Sequence, residues 1–292
     1  MFSEVYSQTS MNIKLLLVPY DTARRQWRSG AGPEHLLQAG LTTHLQGRGH
    51  SVADIQVIEA DPDQPPTEIG TAFELMRRVA VAVRTVRAAG QFPVVLSGNC
   101  NSAVGTLSGL TPARRAVFWF DAHGDCNTPD TTATGFLDGM GLATILGLCW
   151  HQLAASVPGY HPISPEVTFL LGARDLDPPE DEFLAGSAIT SAPVSQIPAR
   201  LPELLARAQL DDALGYIHLD VDVLDPREGQ ANLLPVRGGL SVEQLTAAIA
   251  AIRSRTQLGA AAITSYAPEF DVRQGVCRAA FAALDAILAD GA

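Results

Sequence analysis

The sequence has no cluster of lysine or arginine able to follow a phosphate backbone: 20 basic residues stand against 31 acidic ones, a formal charge of −11. Nucleic acid and anionic membrane surfaces are therefore not expected as partners. It also has no apolar run long enough to span a bilayer. The opening, MFSEVYSQTSMNIK, lacks the basic-then-apolar order of a secretory leader, so a cytoplasmic protein is expected, with residues 1–11 a flexible tail. Cysteine is scarce. Cys100, Cys126, Cys149 and Cys277 show none of the short paired spacings of a zinc ribbon or finger. In a cytosolic chain such thiols are expected to be reduced and packed, although Cys100 and Cys126 stand beside polar clusters. No low-complexity linker and no repeat of fixed period divides the chain, so one domain over 1–292 is expected.

What is present is a large apolar fraction, 47%, against 17% charged residues. Short β-rich runs at 13–19, 52–58, 92–97, 115–120, 167–173, 188–194, 216–221 and 259–266 alternate with helical patterns such as 67–90 and 241–255. Most of the strands are apolar on both faces, as parallel strands covered by helices should be. The pattern predicts an α/β fold of βα units on a parallel sheet, with its ligand site outside the carboxyl ends of the strands.

Three polar clusters fall at such ends: SGNCNS (97–102), DAHGDC (121–126) and HLDVDVLDP (218–226). In an extended backbone Asp121, His123 and Asp125 point to one side, and so do Asp220 and Asp222. A lone Asp-x-His-x-Asp is more often a solvated loop or a local cap. A second Asp-x-Asp ending a different apolar strand favours a divalent cation such as Mn²⁺, or two ions that lower the pKa of a shared water.

The stretch FDAHGDCNTPDTTATGFLDGMGLA (120–143), with HLDVDVLDP, GAGPEHLLQAGL (30–41) and GARDLDPPE (172–180), resembles the ureohydrolase, or arginase, family. The likeness covers most of the chain. It implies a three-layer α/β/α sandwich around an eight-stranded parallel sheet, assembled as a trimer or hexamer and acting on a small amino acid. It also implies a binuclear manganese centre held by Asp121, His123, Asp125, Asp220 and Asp222. Carried over by position, Asn127 and Thr134 would contact the substrate's α-carboxylate and Asp177 its α-amino group.

The chain departs from the family pattern in three places. The customary His ligand after the third strand becomes Asn101, a neutral and weaker donor; alternatively Cys100 moves in, and a thiolate would favour zinc or iron. The family's proton-shuttling His becomes Asp138, which could serve only with a raised pKa. The Glu that grips the guanidinium becomes Ser265, and Glu269 nearby reads as a surface acid. All three changes fall on the reactive end of the substrate. The expected activity is therefore hydrolysis of a C–N bond in a guanidino-, hydroxyguanidino- or amidino-type amino acid, with Asp125 and Asp138 in the catalytic group. A branch acting on N-hydroxyarginine resembles the chain in its Gly-Asp-x-Asn-Thr-Pro-x-Thr-Thr segment. The competing expectation is a binding or regulatory protein that kept the fold and lost turnover.

Overall fold

The computed structural model describes residues 10–64, 66–110 and 113–289; of the tail expected over 1–11, residues 1–9 lie outside this range. Among the described residues, nine strands form one parallel sheet. They are β1 (Asn12–Val18), β2 (Ser51–Val52), β3 (Gln56–Val57), β4 (Phe92–Ser97), β5 (Arg114–Phe120), β6 (Thr168–Leu171), β7 (Thr190–Ala192), β8 (Ala213–Asp220) and β9 (Leu258–Thr264). Their order is β2-β1-β4-β9-β8-β5-β6-β7, and β3 also pairs with β1. Every residue of β4 is buried, as are the last six of β5, which is why these runs read as continuously apolar.

The single strand expected at 52–58 is instead the two short pieces β2 and β3, because it lies at the sheet edge. Ile55 and Val57 there are 40% and 42% exposed, so no cover holds the intervening residues in the ladder.

Helices cover both faces. On one side α1 (Glu68–Ala88) packs on α2 (Ser102–Gly109); on the other α3 (Ile197–Arg207), α4 (Val242–Arg253) and α5 (Gly275–Leu288) lie in a row. This is the expected three-layer α/β/α sandwich. Capping sets the starts: Thr67 Oγ1 accepts from Gly70 N at the head of α1, while Ser241 and Gln244 exchange bonds of 3.2 and 2.9 Å ahead of α4. None of the described helices is long and apolar enough to cross a membrane.

The α1–α2 contact depends on absent side chains. A Cβ on Gly105 would meet the Met76 carbonyl, and one on Gly109 would lie 2.5 Å from Val83 Cβ. Gly105→Ala is therefore expected to lower stability by about 1–3 kcal/mol despite the better helix propensity of alanine, read as a fall in the urea midpoint.

Strands β4, β9, β8 and β5 are consecutive neighbours in the middle of the sheet. The loops after their carboxyl ends carry all three polar clusters, so the topology alone gathers them at one edge.

Candidate metal centre

Beyond Phe120 the chain does not stay extended. His123 N donates to Asp121 Oδ1 (2.8 Å), and Asp125 takes a left-handed conformation with φ +48°. The same device ends β8: Asp222 N donates to Asp220 Oδ1 (2.9 Å), and Val221–Val223 forms one 3₁₀ turn. The expected alternation along an extended backbone is thus replaced by two aspartate-capped turns, because a short carboxylate readily accepts from the amide two residues on.

The turns bring Asp121, His123 and Asp222 together, with ligand atoms all within 4.8 Å of one another. His123 Nδ1 lies 3.4 Å from Asp121 Oδ1 and 3.3 Å from Asp222 Oδ2. Asp121 Oδ2 accepts from Trp119 Nε1 (3.0 Å); Asp222 accepts from Ala122 N (3.2 Å) and Asn232 Nδ2 (3.1 Å). These partners fix both carboxylates before any ligand arrives.

Asp121, Asp125, Asp220 and Asp222 are all buried. Burial, with the neighbouring carboxylates, raises the pKa of Asp121 and holds Asp125 and Asp220 well above the usual range. Asp222 differs: burial raises it, but hydrogen bonds and charge from His123, with help from Asn232, bring it down to about 2. Burial would lower His123, yet its bonds to Asp121 and Asp222 push it up to about 12. The two carboxylates thus favour positive charge between them. A hard or borderline divalent ion matches this donor set and brings more positive charge to the same place, so the residues fit a metal of the manganese class.

Deeper in the cleft, Cys100 Sγ donates to Asp220 Oδ2 at 3.0 Å and lies 3.2 Å from Thr264 Oγ1 and 3.3 Å from Ser265 Oγ. Burial and the surrounding carboxylates push this thiol well up. Asn101 behaves differently. Its backbone N donates to Asp138 Oδ1 (2.8 Å), while the residue borders a separate cavity of about 20 Å³, room for a single water, shared with Glu68, Ser102 and Asp138. Cys100, not Asn101, lines the cleft. Asp138 Oδ2 accepts from Asn99 Nδ2 (2.8 Å). Burial raises Asp138 to about 7 against the lowering effect of those bonds, the range in which a carboxyl can exchange protons at neutral pH.

The cleft has a volume of about 450 Å³, and its lining includes Asn127, Thr134 and Asp177, the residues expected to read an amino acid. Asn127 Nδ2 donates to Asp177 Oδ2 (2.8 Å); Thr134 lies on the exposed rim. Glu269 is exposed and is not part of the lining.

The chain matches the arginase family model over residues 11–289. The chain belongs to the arginase family. Its members are ureohydrolases acting on C–N bonds in linear amidines. The arginase of Bacillus caldovelox is 27% identical over 95% of this chain and 98% of its own length, and that of Bacillus subtilis (strain 168) 30% identical over 80% and 82%. The solved Bacillus caldovelox arginase superposes with a TM-score of 0.85 at 28% identity, covering 96% of this chain and 98% of that one.

Within this arginase-family site two supporting residues were not singled out from sequence. Glu180 is 4% exposed; its Oε1 accepts from Cys126 N and its Oε2 from Asp177 N, each at 3.0 Å. It therefore ties the loop of Asp177 to the loop of Asp121–Cys126. The signal was present in Asp177-Pro178-Pro179-Glu180, a capping box with proline at the first helical position, heading the helix Pro178–Gly186.

Arg174 is the other. Its guanidinium donates to the carbonyls of Gly172, Asp222, Val223, Leu224, Val236 and Arg237 at 2.8–3.3 Å. A rigid fork suits converging carbonyls in a way that a lysine ammonium cannot reproduce. Arg174→Met should cost about 3 kcal/mol, since it removes charged donors from several partly buried acceptors at once. Chemical denaturation of the variant checks this.

Proposed function

We propose that this protein is a metal-dependent amidinohydrolase that cleaves a C–N bond in a guanidino-, hydroxyguanidino- or amidino-type amino acid, using Mn²⁺. The observation that carries the reading is the Asp121–His123–Asp222 cluster, whose His123 and Asp222 line a cleft that Asn127, Asp177 and Thr134 also line. Asp121, His123 and Asp222 would hold the ion, with Asp125 and Asp220 adjoining. When bound, it lowers the pKa of water enough to supply a nucleophile near neutral pH and offsets charge developing in the transition state.

The protein's own residues supply the rest. Asp177, kept in place by Asn127, presents a carboxylate to an α-ammonium group, and Asn127 and Thr134 face the α-carboxylate. Asp138, at the junction between the cleft and the small cavity, holds a proton near neutral pH and delivers it to the departing nitrogen. The absence of a glutamate at Ser265 favours a distal group other than plain guanidinium, such as hydroxyguanidine or formimino. We further propose cytoplasmic action as a trimer or hexamer.

The test is release of urea, hydroxyurea, ammonia or formamide from a panel of such amino acids by Mn²⁺-loaded protein. Product from at least one is expected. Tight binding of an amino acid with no product from any would instead make the chain a binding or regulatory protein.

A further inference from the structure

Eight carboxyl side chains line the cleft, and among the described residues the basic ones in its lining are His123 and Arg28 alone. His123 is committed to Asp121 and Asp222, at 3.4 and 3.3 Å. An amino acid brings a carboxylate into this acidic space, where like charges repel. The neutral residues expected to meet it are already partly engaged. Asn127 Nδ2 donates to Asp177 Oδ2 (2.8 Å), Asn127 Oδ1 accepts from Thr131 Oγ1 (3.0 Å), and Thr134 Oγ1 accepts from Phe136 N (3.2 Å). They have one N–H and one O–H left to offer, and neither group is charged.

Arg28 is the available cation. It is exposed and opens the 3₁₀ turn Arg28–Ala31. Arg25, three residues earlier, is paired with Glu34 (3.0 Å) and Glu59 (2.8 Å), whereas among the described residues Arg28 has no ion pair. Its guanidinium carbon lies 5.4 Å from the centre of the Trp27 ring, whose π-face steadies the charge without neutralising it. The Arg28 backbone is left-handed, φ +46°, which a residue with a Cβ adopts only where its surroundings impose it. The following residues supply that constraint: Gly30 N donates to the Trp27 carbonyl (2.7 Å), and a Cβ on Gly30 would lie 2.9 Å from Asp21 N. Burial raises the pKa of Asp21 against the lowering effects of Asn99, the Ser29 amide and the Arg28 charge, and Glu68 acts on the same carboxyl. Glu68 Oε1 in turn accepts from Leu137 N (3.3 Å), three residues beyond Thr134. Arg28 therefore belongs to the wall of the cleft that adjoins the Thr134 loop.

We propose that Arg28 sets the specificity of the cleft for amino acids: its charge offsets the ligand's carboxylate, and the corresponding amine without that carboxylate is held less tightly. A guanidinium fork matches the two oxygens of a carboxylate, and its charge persists at every working pH. In a cleft so rich in acids the same residue also works against dications, which the carboxyl groups would otherwise favour. The inference rests on the reading that the cleft takes an amino acid, and it adds the positive charge that Asn127 and Thr134 do not bring.

The test measures binding of L-ornithine and putrescine to full-length, Mn²⁺-loaded protein by calorimetry. The two differ by the carboxylate alone, and neither carries a C–N bond of the hydrolysable type, so turnover does not enter. The parent protein should bind L-ornithine more tightly than putrescine. Arg28→Met, which keeps the length of the side chain, should weaken L-ornithine by about 10–100-fold, the worth of a hydrogen bond to a charged group, and leave putrescine unchanged or tighter. Arg28→Lys should retain the preference by a smaller margin, and Arg28→Glu should reverse it. Equal losses for both ligands in Arg28→Met, an unchanged L-ornithine Kd, or no L-ornithine binding by the parent overturns the proposal. Product from a panel amino acid with kcat/KM unmoved in Arg28→Met also overturns it and leaves the hydrolase reading intact. Selective L-ornithine binding that Arg28→Met removes, with no product from any substrate, sinks the hydrolase reading and supports this one.

Discussion

Asp138→Asn is expected to lower kcat by about 10²–10⁴-fold, the usual worth of a positioned proton donor. The amide keeps the side-chain volume but cannot give up a proton. In the parent protein the protonated form does the work, so kcat should fall as pH rises through about 7, and that limb should vanish in the variant. Stability should fall over the same range. A carboxyl whose pKa is raised on folding stabilises the native state fully below its unfolded value, and that contribution is lost as pH rises through the folded value. Asp138→Asn is therefore expected to remove that fall of Tm between about pH 6 and 8 along with the activity, while its NH₂ faces one of the two donors, Asn99 Nδ2 or Asn101 N. A lower Tm together with retained activity would show that Asp138 is only a structural acceptor for Asn99 and the Asn101 amide.

Asp121→Asn carries the larger loss. Asp121 belongs to the cluster with His123 and Asp222 and receives Trp119 Nε1 and His123 N on separate oxygens. The amide can still accept from one of these donors, but its NH₂ then faces the other, and the charge that draws a cation is gone. Metal content should fall well below that of the parent, and kcat/KM by at least about 10³-fold, on the scale of losing a principal electrostatic element of a site. Elemental analysis of dialysed protein and turnover of the best panel substrate measure the two effects. Unchanged metal content would move the ion elsewhere in the cleft.

The sheet, its two helical layers and the gathering of three loops at one edge were legible in the sequence, because βα alternation and apolar runs report burial on both faces. The edge at 52–58 was not, since periodicity carries no information about which strand lacks a neighbour. At the site, residue types were legible and directions were not. Asn99, Cys100 and Asn101 follow each other on a turn, where successive side chains diverge. Only the fold shows that the thiol enters the cleft while Asn101 borders the small cavity. The alternation in DAHGDC implied convergence along an extended strand, whereas Asp121, His123 and Asp222 converge through turns closed by aspartate oxygens.

Arg174 belongs to the same loop as Asp177, just ahead of the helix that carries Glu180, yet its guanidinium grips the carbonyls of Asp222, Val223 and Leu224. The Asp177 and Asp222 sides of the cleft are therefore tied to each other. On the proposed reading, a substrate held at Asp177 would meet its attack across a span that neither loop adjusts alone. Selection by length would follow: an analogue one methylene shorter or longer would present its reactive carbon out of reach, whatever its terminal group.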